Sequence, residues 1–214
     1  MIIYIHVCQK GAWQRSWCML MDKIRESGLY DECKQIRCGV VNDIGQFLPS
    51  EVFADPKITI IHRGHSSEYE RPTLLHMQSA AVNNESDIFL YIHTKGIRWF
   101  GTSQEENILD WIKLLIYWNI ELWGKAVDTI KSYDTYGCNI TTGNGIYPLH
   151  YSGNFFWATS TYLKRLPASI GGGYNDPEFW PCYANPRSFN AFSSGLEGMG
   201  HYSSRFPEER YRTL

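Results

Sequence analysis

From Ile2 to Val7 the chain is apolar or aromatic at every position except His6, which predicts a buried first strand. The polar turn Gln9-Lys10-Gly11 follows. Trp17, Leu20, Met21 and Ile24 then recur at helical spacing over about 13 to 28, where Gly28 ends the helix. Short strands are expected near 35 to 41 and 57 to 61. Pro72 suits the first turn of a helix, where its missing amide hydrogen costs nothing, and Leu74, Leu75, Met77 and Gln78 carry that helix toward Asn83. Next comes the most informative segment, a strand over 88 to 93 whose residues are apolar or aromatic up to His93. His93, Thr94 and Lys95 then arrive together ahead of Gly96, which permits a sharp turn.

In the second half, Ile108, Trp111, Ile112 and Leu115 form the buried side of a long helix from Gln104 to about Gly124, followed by a helical piece from Lys125 to Lys131. Thr142-Gly143-Asn144-Gly145 reads as a turn or cleft loop. The polar loop His150-Tyr151-Ser152-Gly153-Asn154 runs into the aromatic strand Phe155-Phe156-Trp157-Ala158, and Thr159-Ser160 is a candidate cap for a helix through Tyr162, Leu163 and Leu166. This order of strands and helices predicts an α/β fold with a mostly parallel central sheet covered by helices on both faces.

The chain has 214 residues and a formal charge of -2, enough for a single domain and without the basic runs that nucleic-acid backbone binding needs. Its six cysteines include no CxxC pair, so free thiols in a reducing compartment are expected. The sequence holds no apolar run long enough for a transmembrane helix and no signal-like start, which gives a cytoplasmic expectation. Aromatic residues reach 15%, enough both to fill a core and to line a ligand-binding cleft, and composition does not divide them between the two.

There is no G-x-S-x-G nucleophile elbow and no HExxH zinc motif; His62 and His65, three apart, read as loop residues without a third ligand. The remaining groups suit transfer from a phosphate-bearing donor. Lys95, Lys10 and Arg15 can neutralise a diphosphate, Ser152 and Asn154 can hold hydroxyls, and Asp176 or Glu178 can take a proton from an acceptor. Other readings stand beside these: Lys10 and Arg15 as solvated surface charges, Asn154 bonded within its own loop, and Asp176-Pro177-Glu178 as a helix start. Glu178 lies between Pro177 and Phe179-Trp180, where burial would raise its proton affinity.

The blocks Tyr91-Ile92-His93-Thr94-Lys95-Gly96, Asp110-Trp111, Ser152-Gly153-Asn154-Phe155-Phe156-Trp157-Ala158 and Glu178-Phe179-Trp180 resemble those of small glycosyltransferases of the GT-A fold from bacteria and large DNA viruses, including viruses that glycosylate their own capsids. The resemblance covers about residues 1 to 180. It implies a single GT-A-like (Rossmann-like) domain with a donor half over 1 to 100 and an acceptor half over 101 to 214. The donor is a nucleoside-diphosphate sugar, with a UDP-sugar as the working example, and the acceptor is a glycan or glycoprotein. The nucleotide base lies near Val7, Gln9 and Lys10, and the diphosphate near His93, Thr94 and Lys95; a viral member would work in the host cytoplasm.

The wider fold ends this strand in Asp-x-Asp, which holds a divalent metal; here the place reads His93-Thr94-Lys95. A lysine attracts phosphate and repels a metal, which points to a metal-independent inverting enzyme. If Mn or Mg does bind, His93 with an acidic residue or His201 has to supply the site. Two other classes remain: a non-catalytic carbohydrate- or nucleotide-binding module, and a phosphohydrolase using the same cationic strand end.

Overall fold

The computed structural model describes residues 1–44, 50–141, 147–197 and 199–212; the glycine-rich segment 142–145 lies outside them. Seven strands form the central sheet: β1 (Ile2–Cys8), β2 (Gln35–Asn42), β3 (Ile58–His65), β4 (Ile88–His93), β5 (Thr135–Gly137), β8 (Phe156–Thr159) and β9 (Ser188–Asn190). A two-stranded ribbon pairs β6 (Ile140–Thr141) with β7 (His150–Tyr151). The spatial order is β3-β2-β1-β4-β8-β5-β9, with only β8 antiparallel to its neighbours. The helices are α1 (Trp13–Glu26), α2 (Leu29–Glu32), α3 (Arg71–Val82), α4 (Glu105–Ile116), α5 (Trp123–Ile130), α6 (Ser160–Leu163), α7 (Asp176–Phe179) and α8 (Gly200–Ser203).

Alternation along the strands divides the core. Ile3, Ile5 and Val7 of β1 join Leu90, Ile92 and Trp157 beneath α1, α4 and α5, while Ile2 and Tyr4 join Phe89, Tyr91 and Phe156 beneath α3 and α6. Each large apolar side chain so buried contributes roughly 1.5–3 kcal/mol. This is the two-faced, mostly parallel sheet that the pattern predicts.

Several elements differ from expectation. β3 extends to His65, so His62 and His65 lie on a strand; a bulge beside Gly39 lets the edge strand continue, and His62 pairs with Glu68 at 2.6 Å. The long helix expected over 104–124 is interrupted by a π-turn at Tyr117–Glu121. There Asn119 is fully buried and its carbonyl accepts a hydrogen bond from the Trp157 indole at 2.9 Å, a partner an uninterrupted helix would not free. The cap at Thr159 forms as expected, its hydroxyl accepting from the Tyr162 amide at 3.1 Å, but α6 is a single turn.

The C-terminal segment is ordered through Arg212 and strapped to α4. Arg205 donates to both oxygens of Asp110, the Phe206 amide donates to the same carboxylate, and Arg212 pairs with Glu121.

Candidate functional site

The C-terminal ends of β3, β2, β1 and β4 and the N-terminal end of β8 share one sheet edge, because β8 runs antiparallel with Phe156 opposite Tyr91. A cleft of about 730 Å³ opens along this edge. Crossing it in strand order, its wall passes from Ser66 and Val41 to Cys8, then to His93 and Lys95, and reaches Gly153, Asn154 and Glu178 beyond β4. Parallel α/β sheets bind ligands at this edge because the strand-to-helix loops converge there.

The turn after β4 is built as the sequence suggests. Gly96 has φ +77°, and a Cβ there would stand 2.5 Å from an Ile108 methyl. Thr94 closes β4 onto β1, its amide donating to the His6 carbonyl at 2.9 Å and its hydroxyl accepting from the Cys8 amide at 3.0 Å. Lys95 then projects into the cleft with its Nζ 3.7 Å from the centre of the Trp111 ring. Among the described residues no carboxylate stands within 4 Å of that nitrogen. Burial lowers the Lys95 pKa, while the charges of Glu178 and Glu70 raise it.

His93 faces the other way along the edge, donating through Nε2 to the Gly153 carbonyl at 3.0 Å, with Nδ1 4.0 Å from Glu70. Burial first, and then the Lys95 charge, lowers its pKa to about 4, so it is a neutral imidazole at physiological pH. Gly153 (φ +98°) and Asn154 (φ +55°) form a tight left-handed turn. A Cβ at Gly153 would meet Leu115 at 2.8 Å and Trp111 at 3.3 Å. Glu178 closes the turn from α7, its Oε1 accepting from the Gly153 amide at 2.9 Å while Oε2 has no hydrogen-bond partner among the described residues.

Glu70, the residue before α3, stands opposite. Its Oε2 accepts from the Tyr91 hydroxyl at 2.7 Å and from the Asn154 amide nitrogen, tying α3, β4 and the 152–154 turn together. Sequence reasoning missed it, although a residue ahead of a helix that follows a parallel strand is placed on the ligand edge by topology alone. Arg98 was missed as well. It lines the cleft three residues after Lys95 and its guanidinium donates to the Tyr174 hydroxyl at 2.9 Å.

Several expected site residues lie elsewhere or are occupied. The Val7 side chain is in the core beneath α1 and offers nothing to a nucleotide base. Gln9 accepts from Asn42 at 3.4 Å and does not line the cleft. Arg15 is bound to Glu105 at 2.5 Å and stacked on Phe100, the surface placement that stands beside the diphosphate reading in the sequence. Asp176 accepts from the Gly173 amide at 2.7 Å and holds a loop rather than facing an acceptor. Lys10 does line the cleft, paired with Asp43 at 2.8 Å, and Ser152 and Asn154 are buried in its wall.

A divalent cation does not fit this donor set. His201 is wholly buried, stacked on Trp111 at 5.0 Å, with Nε2 bonded to Asn139 and Ser194, so it is no partner for His93 at the cleft. His93 turns its Nε2 to a carbonyl, and among the described residues no group of three or more His, Cys, Asp or Glu could hold a metal ion.

No protein-family model matches the chain, and the search of curated proteins found no match. Among solved structures, the chain is similar to HddC from Yersinia pseudotuberculosis complexed with GMP-PN, with 10% identity over 90% of both chains and a TM-score of 0.52. Also found were a putative nucleotide-diphospho-sugar transferase from Desulfovibrio desulfuricans (12% identity, 90% of this chain and 79% of that one, TM-score 0.44) and A197 from STIV (8% identity, 90% and 83%, TM-score 0.42). With the strand order above, the first of these likenesses gives the fold: a GT-A-like, Rossmann-like α/β architecture.

Proposed function

We propose that this chain is a glycosyltransferase that moves a sugar from a nucleoside-diphosphate donor to a hydroxyl of a glycan or glycoprotein acceptor, inverting the anomeric centre. The observation that carries the reading is the pairing of Lys95, a cation without a carboxylate partner at the end of β4, with Glu178, a carboxylate anchored through one oxygen and open at the other. A neighbour of the same fold solved with GMP-PN supports a nucleotide as part of the ligand. Residues 1–100 would carry the donor and 101–214 the acceptor.

In this mechanism Glu178 Oε2 takes the proton of the acceptor hydroxyl as that oxygen attacks the anomeric carbon from the face opposite the diphosphate. The bond from anomeric carbon to phosphate oxygen breaks, and its electron pair leaves with the nucleoside diphosphate. Lys95 stabilises the charge that builds there, in a site where preorganised cations act more strongly than in water. Lys10 lines the same cleft and serves the nucleotide end. His93, Glu70 and Asn154 hold the turn to which Glu178 is anchored. The residues at the end of β4 supply no metal cage, so the cationic work falls to lysine.

Release of nucleoside diphosphate from a panel of UDP-, GDP- and dTDP-sugars, UDP-sugars first, tests the reading. Turnover by the native chain and its loss in Glu178→Gln support it; no release from any donor, with glycan acceptors supplied, contradicts it.

A further inference from the structure

The large apolar side chains that reach the surface are not scattered. Seven stand exposed among the described residues, and four of them, Tyr69, Tyr147, Tyr174 and Met199, border the single cleft that holds Glu178. Exposed aromatics gathered at one concave site mark a binding surface. The three tyrosines are 37%, 51% and 62% exposed.

These rings are also held in place. Tyr69 meets Tyr174 edge to face at 5.3 Å, and the Tyr174 hydroxyl accepts from Arg98. Arg71 lies over the Tyr69 ring and donates to the carbonyls of Gly171 and Gly173, while Asp176 takes the Gly173 amide, so the glycine strap that carries Tyr174 is fastened at both sides. Tyr147 packs against Phe179 at 6.1 Å, the residue next to Glu178 in α7. The proposed base therefore shares one cleft with two aromatic pairs.

We infer that these pairs form a carbohydrate platform: the acceptor is a glycan whose terminal pyranose lays its C–H face on Tyr174 or Tyr147 and turns a hydroxyl toward Glu178. The inference rests on the glycosyltransferase reading and narrows its acceptor to a sugar. Tyrosine suits a sugar better than a lipid, because the ring covers the C–H face while its hydroxyl, and the intervening Asn175 and Arg98, remain to meet sugar hydroxyls. A lipid chain would need an unbroken apolar groove, and here polar groups separate the rings.

The test is saturation-transfer NMR of the full chain with methyl glycosides of glucose, galactose, mannose, N-acetylglucosamine, fucose and rhamnose, with nucleotide-sugar protection against unfolding measured in parallel. At least one glycoside should bind, about three- to tenfold more weakly in Tyr174→Ala or in Tyr147→Ala, whichever ring carries the pyranose, the range that aromatic stacking supplies, and the Phe variants should retain binding. Nucleotide-sugar protection without glycoside binding overturns the platform and leaves the donor reading standing. Glycoside binding that both Ala variants keep also overturns it. Glycoside binding that either Ala variant loses, without nucleotide-sugar protection, supports the platform and removes the donor reading. Neither signal removes both.

Discussion

The ammonium of Lys95 lies 3.7 Å from the centre of the Trp111 ring. A π face steadies a cation without cancelling its charge, whereas a carboxylate in that place would neutralise it. The charge is therefore held in position yet still available to an arriving anion. Trp111 in turn is fixed by α4 and by the His201 ring stacked on it, which ties the ordered C-terminal strap to the centre of the cleft.

Replacing Lys95 with Ala should lower turnover at least tenfold, on the order of 1.4 kcal/mol of transition-state stabilisation, while the folded state persists. Steady-state kinetics beside circular dichroism checks this. Unchanged turnover in a folded variant removes Lys95 from the mechanism.

Glu178→Gln keeps a group that can accept from the Gly153 amide but can no longer take a proton. Turnover should fall about a hundred- to ten-thousand-fold, the usual range for a lost general base, with nucleotide-sugar protection intact. A non-catalytic binding module would instead tolerate Gln and Ala equally and show no turnover to lose.

Glu70→Ala leaves the Tyr91 hydroxyl and the Asn154 amide nitrogen without their acceptor. Each stranded buried group costs about 1–3 kcal/mol, so urea unfolding should report a loss of roughly 2–6 kcal/mol in total. A loss below about 0.5 kcal/mol would mean that the network does not hold the turn.

Stability should also fall on mild acidification. His6, His93 and His201 all have pKa values lowered to about 4, chiefly by burial. In the unfolded chain each takes up a proton near pH 6.5, which the folded chain refuses until about pH 4. Their contribution is thus complete above pH 6.5, lost progressively between pH 6.5 and 4, and level below that. One pKa unit corresponds to about 1.4 kcal/mol, so urea midpoints at pH 7 and pH 5 should differ clearly, and His201→Gln should flatten the slope. Equal midpoints at the two pH values would contradict the burial of these rings as neutral groups.

What could be read in advance follows from how local each signal is. The apolar run of β1, the polar end of β4 and the Thr159 cap depend on residues a few positions apart, and all three appear as expected. The partner of Arg15 was not legible, because its helical position says nothing of Glu105, 90 residues later. Along the end of β1 the side chains alternate, so that His6 and Cys8 line the cleft while the Val7 side chain lies in the core. The π-turn depends on the distant Trp157 indole, which local periodicity does not record. Glu70 was readable in principle, since βα topology places its position at the ligand edge whatever its partners.

The central claim is a nucleotide-sugar site whose cation is Lys95 rather than a metal. The most direct test is thermal unfolding of the native chain with a panel of nucleotide-sugars, in EDTA and in Mn. A donor at a hundredfold excess over its Kd adds about 2.7 kcal/mol, which in a chain of this size raises Tm by roughly 5–10 °C. The account predicts such a rise for at least one nucleotide-sugar, equal in EDTA and in Mn and reduced in Lys95→Ala. Protection that appears only with Mn, or none from any nucleotide-sugar, would contradict it.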